Sequence, residues 1–155
     1  MQEQISQPLA QPSMPLLPPV KLWTPGTIAG ITFLLGFPAG IVLASINWMR
    51  MNLSNKALIH LIVGALGTFI VVVFLILTPG NTGRILGLAV NLGTLFYLQR
   101  QMKKDLENFT ASNHKVEKAN GLGGCLIGIG MLVLFFMLAV VLTFVFVALG
   151  VPIPE

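Results

Sequence analysis

Apolar and polar positions alternate along this chain in long blocks rather than in short strand-like pairs, and four blocks are apolar enough to predict helices inside a membrane. The first, over about 28–48, carries no charge before Arg50 and is about 20 residues long, enough as a helix to cross a hydrocarbon core of about 30 Å. The second covers about 57–78, the third about 84–99 and the fourth about 122–150. Pro79-Gly80-Asn81-Thr82-Gly83 reads as a tight turn that folds the second and third runs into an antiparallel hairpin. The third is the weakest: Ile85 to Leu98 gives only about 21 Å of uncharged helix, which Arg84 lengthens by snorkelling and Tyr97 anchors. Beyond it, Leu98, Met102, Leu106 and Phe109 keep helical spacing between polar residues, which predicts an amphipathic extension on the membrane surface or against the bundle. Thr110 to Asn120 reads as a polar loop.

Small side chains recur at helical spacing within these runs. Thr32, Gly36, Gly40 and Ala44 fall on one face of the first, with Pro38 between the glycines expected to kink it. Gly64 and Thr68 mark a face of the second, Gly83, Gly87 and Asn91 of the third, and Gly124 and Gly128 of the fourth. Such faces let helix backbones approach closely in lipid, where packing and not water exclusion drives association. The predicted fold is therefore an all-α integral membrane bundle of four transmembrane helices, with an amphipathic cytoplasmic extension of the third. Residues 1–22, with five prolines among Gln, Ser and Leu, read as a disordered proline-rich tail, and 23–155 as the membrane domain. Trp23 marks the interface, and Thr24-Pro25 gives an N-cap followed by proline at the first helical position.

Composition sharpens this picture. Of 155 residues 55% are hydrophobic and 9% charged, which leaves no room for a separate soluble domain. The net charge of +4 lies beside apolar runs with few aromatic neighbours, so it points to anionic headgroups and not to nucleic acid. Arg100, Lys103 and Lys104 form the densest basic cluster and are expected to face anionic lipid. Basic residues concentrate in the links after the first and third runs, which places those links in the cytoplasm and both termini outside.

Candidate chemistry is sparse. No Asp, Glu, Lys or Arg lies in the middle of any run, so the usual ionisable group of proton-coupled transport is missing. The intramembrane polar candidates are Asn47, His60, Thr68 and Asn91; His60 and Asn47 are expected at similar depth and within hydrogen-bond reach. The single cysteine, Cys125, excludes an intrachain disulfide, and His114 beside Glu117 does not make a metal site. Nucleotide-binding, hydrolase and thiol-exchange signatures are absent, so the expectation is a non-enzymatic protein without cofactor or metal.

Trp23-Thr24-Pro25, the run Thr32 to Gly40, Asn47, Gln101 and the His114–Gly121 region resemble a family of small, uncharacterised four-helix bacterial integral membrane proteins. The resemblance is strongest over the first 50 residues or so, and it implies a multi-pass protein of the bacterial plasma (inner) membrane without implying an activity. The expected partners are the lipid bilayer and either a homo-oligomer or a larger membrane complex; the alternative is a small transporter or channel for an uncharged or weakly polar solute.

Overall fold

A computed structural model describes residues 18–78, 80–112 and 114–151. The described chain runs β1 (Val20–Leu22), α1 (Pro25–Leu35), α2 (Phe37–Arg50), α3 (Ser54–Leu77), α4 (Asn81–Ala111), β2 (Val116–Lys118) and α5 (Gly121–Ala148). It is an all-α fold with one short sheet. Most of the proline-rich tail lies outside the described residues, but its end is ordered: Val20, Lys21 and Leu22 pair in parallel with Val116, Glu117 and Lys118. The polar loop expected over Thr110 to Asn120 therefore contains a strand.

The first apolar run is not one helix. It breaks at Gly36, whose φ of 91° is a left-handed value suited to glycine, and whose N–H closes α1 on the Thr32 carbonyl at 3.0 Å. Pro38 does not kink a continuous helix, as the sequence suggested. It sits in the first turn of α2, where its missing N–H has no helical partner to lose. The two arms fold back on each other. Trp23 at the start of α1 is hydrogen-bonded to Asn47 near the end of α2, and Lys21 O accepts from Arg50 Nη1 at 2.9 Å. At 11 and 14 residues, or about 16 and 21 Å, neither arm alone reaches across a hydrocarbon core of about 30 Å.

This helical hairpin is the core of the molecule. Most of α2 is buried, including Ala39, Leu43, Ala44 and Trp48, and Ile28 and Ile31 of α1 pack beside Leu98, Met102 and Ala57 from the surrounding elements. The outer helices bury little. α5 has only Gly124 and Gly128 buried, and Leu58, Ile62, Val63, Leu66 and Ile70 of α3 are exposed. Among the described residues two helices, α3 with 24 residues and α5 with 28, are long and apolar enough to cross a membrane, in place of the four expected. The third run misses that standard because its uncharged stretch, Ile85 to Leu98, is only 14 residues long and contains Asn91, with polar residues at both ends within the 31-residue α4. The amphipathic extension is thus the same helix, and Leu106 and Phe109 pack against the core.

The strand pair also fixes which ends lie together. Val20 and Val116 are neighbours, so the chain enters the bundle at the end that holds the α4–α5 link, and α5 then leads away from it.

Candidate functional site

Close approach around the hairpin depends on small residues. A Cβ on Gly40 would lie 1.9 Å from Thr32 Oγ1, so the two arms cross there with no side chain to spare. Thr32 is fully buried and donates to Ile28 O at 2.7 Å, which turns its polar atom back into its own helix. A Cβ on Gly64 would lie 2.7 Å from Ile41 Cγ2, and one on Gly128 2.5 Å from Leu35 Cδ1. Gly124 lies under Ile31 and Trp23, at 3.0 and 3.1 Å from an added Cβ. Gly83 faces the Thr78 carbonyl at 2.9 Å, whereas Gly87 has only Leu75 at 3.9 Å. Ala44 is buried in the hairpin core, Gly36 is the break itself, and Pro38 is buried beside it. Gly40 with Thr32 joins the arms of one hairpin; Gly64, Gly124 and Gly128 seat the hairpin against α3 and α5.

Asn47 and His60 do not bond to each other. Asn47 is completely buried; its Oδ1 accepts from Trp23 N at 3.1 Å and its Nδ2 donates to Trp23 O at 2.7 Å. One amide side chain thereby satisfies both backbone groups of a residue that precedes a helix and follows a strand. Trp23 is held from two further sides. Its Nε1 donates to Asn120 O at 2.9 Å, and the Arg50 guanidinium lies 4.7 Å from its ring centroid.

His60 belongs to a second cluster at the same end. Its Nδ1 lies 2.7 Å from Lys56 O, and a carbonyl can only accept, so Nδ1 carries the proton. In the neutral ring Nε2 then accepts from Tyr97 O–H at 3.0 Å, which links α3 to α4. The imidazole also lies 4.3 Å, centroid to centroid, from the Trp48 ring, with the two planes tilted by 45°. Asp105, 13% exposed, gathers three elements: it accepts from Trp48 Nε1 of α2 at 2.7 Å and pairs with Lys56 of α3 at 2.5 Å. Lys56 Nζ reaches Gln101 Oε1 as well, at 3.2 Å. None of this was legible as a constellation, because Trp48, Lys56, Tyr97 and Asp105 lie on three separate elements.

Polar groups deeper in the bundle mostly serve their own helices. Thr68 Oγ1 donates to Gly64 O at 2.7 Å. Asn91 is one exception: its Oδ1 is buried and no described protein donor reaches it. It lines a cavity of about 480 Å³ together with Gly36, Phe37, Val71 and Leu75, so it stands beside the hairpin tip. Ser45 Oγ is likewise buried without a protein partner. Two more cavities flank α3. One of about 270 Å³ lies against Pro38, Thr68 and Phe135, and one of about 370 Å³ lies between α3 and α4. Arg100, Lys103 and Lys104 are exposed on α4, beyond Tyr97.

The arrangement offers hydrogen bonding, close packing and apolar space. His60 spends both ring nitrogens on structural partners, and Asp105 is neutralised by Lys56. No three His, Cys, Asp or Glu side chains converge among the described residues. No family model matches the chain, and no curated protein or solved structure shows significant similarity to it.

Proposed function

We propose that this chain is a small, non-enzymatic integral membrane protein that works by association in the bilayer, as a homo-oligomer or as an accessory subunit of a larger membrane complex. One observation carries the reading. The most apolar windows of α3 and α5 are 11% and 0% buried, whereas a core helix of a water-soluble protein hides such a surface. Lipid is the solvent that suits it.

In this reading α3, the apolar part of α4 and α5 cross the membrane, and the α1–α2 hairpin enters and leaves on one side. Irregular backbone at membrane depth is tolerated where protein covers it. Phe37, Pro38 and Ala39 after the break are buried, in keeping with that condition. The basic residues Lys21, Arg50, Lys56, Arg100, Lys103 and Lys104 then share one face, which the positive-inside rule assigns to the cytoplasm. The chain enters the bundle at that face and α5 ends at the other. The resemblance to small bacterial membrane proteins favours the plasma membrane as the site.

Extraction separates the outcomes. The protein is expected to stay with membranes through alkaline carbonate, and to elute from a mild-detergent column as an oligomer or with a defined partner. Release by carbonate would overturn the membrane assignment. A lone monomer across several mild detergents would overturn the association role.

A second reading is passage of a small uncharged or weakly polar solute, favoured by Asn91 Oδ1 beside the helix break in its cavity. Solute flux in proteoliposomes, lost in Asn91→Leu, would support it; no flux across a broad solute panel would count against it.

A further inference from the structure

We propose that the cleft between α3 and α4 binds one anionic phospholipid of the surrounding bilayer, its acyl chain in the cleft and its headgroup over the basic turns of α4. The inference rests on the membrane placement above and goes beyond it by naming a ligand. The cleft has a volume of about 370 Å³ and is walled by Val63, Ile70 and Val90, with Gly67 and Thr94 leaving it open. A Cβ added to Gly67 would meet nothing within 4 Å, so the space there belongs to no side chain of this protein. Val63 and Ile70 are 63% and 64% exposed, which opens the cleft sideways toward acyl chains and not toward either aqueous phase.

The chemistry changes along its length. The apolar walls end at His60 and Tyr97, which bond to each other across the cleft at 3.0 Å. Arg100 and Lys104 follow Tyr97 by three and seven residues, so they lie one and two turns further along the same side of α4. Both are exposed, and the described ion pairs include neither; Asp105, the nearest carboxylate in sequence, is taken by Lys56. A single tail, a neutral polar collar and a head region of net positive charge, with Arg100, Lys103 and Lys104 against the exposed Glu107, match a lipid with an anionic headgroup.

The test is native mass spectrometry of the full chain recovered from mixed vesicles of phosphatidylcholine and phosphatidylglycerol. The wild type is expected to retain one phosphatidylglycerol in preference to phosphatidylcholine. Replacing Arg100→Gln and Lys104→Gln should cut that preference about fivefold for each charge removed. Gly67→Leu should abolish retention of both lipids by filling the cleft, at a site where an added Cβ meets nothing within 4 Å. Equal retention of the two lipids by the wild type would overturn the proposal. So would unchanged retention in Gly67→Leu, or a Gly67→Leu variant that alters oligomeric state while its bound lipid stays the same. Each of those results leaves resistance to carbonate extraction untouched, so the proposal can fail while the membrane reading stands.

Discussion

The crossing of the two hairpin arms at Gly40 makes a quantitative prediction whose sign differs from that of an ordinary helix glycine. Glycine to alanine inside a helix usually stabilises by about 1 kcal/mol through propensity. At Gly40 the new Cβ would lie 1.9 Å from Thr32 Oγ1 and 2.9 Å from Thr32 Cβ, well inside van der Waals contact. Thr32 cannot simply turn aside, because it is fully buried and its hydroxyl is bonded to Ile28 O at 2.7 Å. The arms must separate, at a cost of about 1–3 kcal/mol for overpacking, plus about 1 kcal/mol if the hydroxyl loses its acceptor. After the propensity gain, Gly40→Ala should destabilise by about 1–3 kcal/mol. Gly67→Ala and Gly93→Ala, with nothing within 4 Å of the added atom, should be neutral or stabilising. Thermal unfolding of the purified variants in one detergent measures the contrast, at about 2–4 °C per kcal/mol for a chain of this size. Thr32→Ala in the Gly40→Ala background removes the closest atom but keeps Cβ, so it should restore part of the loss as a favourable coupling. A Gly40→Ala protein as stable as the Gly67→Ala control would refute the crossing.

Three further predictions address the end where the chain enters. Asn47→Leu leaves both backbone groups of buried Trp23 without partners and should cost about 2–4 kcal/mol, read as a lowered unfolding midpoint; Asn47→Asp keeps an acceptor for Trp23 N–H but loses the donor to Trp23 O in a fully buried site, and should also destabilise. Asp105→Ala strips the acceptor from Trp48 Nε1 and the counter-ion from Lys56, and should cost about 1–3 kcal/mol, with a matching loss of protection from proteolysis near Ala111. Cysteines at Val20 and Val116, in a Cys125→Ser background, should form a disulfide under mild oxidation because the two positions are paired.

Much of the helical content could be read from hydrophobic blocks, because α3 and α5 are long, uninterrupted and nearly free of polar residues. The approach Trp23-Thr24-Pro25 was legible for a local reason: Thr24 accepts from Thr27 N at 3.2 Å, and Pro25 occupies the first turn of α1. The same logic applied to Gly36-Phe37-Pro38 would have found the break, since glycine ends helices and proline begins them. Hydrophobicity alone hid it, because both arms are apolar and their sum has the length of a span. The strands were invisible for a different reason. Three residues are too few to show alternation, and their pairing joins positions 96 apart in the chain. The small-residue ladders pointed to close backbone contact without saying which backbones meet, since spacing encodes a face and not its partner. Asn47 and His60 were placed at one end of the bundle from sequence; their true partners, Trp23 and Tyr97, lie on segments whose direction depends on the hairpin.

The hairpin's return to its starting side is the claim on which the rest stands, and cysteine accessibility tests it directly. Lys21→Cys and Asn55→Cys, each exposed, flank the hairpin before α1 and after α2. In a Cys125→Ser background and in sealed vesicles of known orientation, a membrane-impermeant maleimide should label both from the same side. Labelling of the two positions from opposite sides would mean that the first apolar run crosses the bilayer, and would contradict the account.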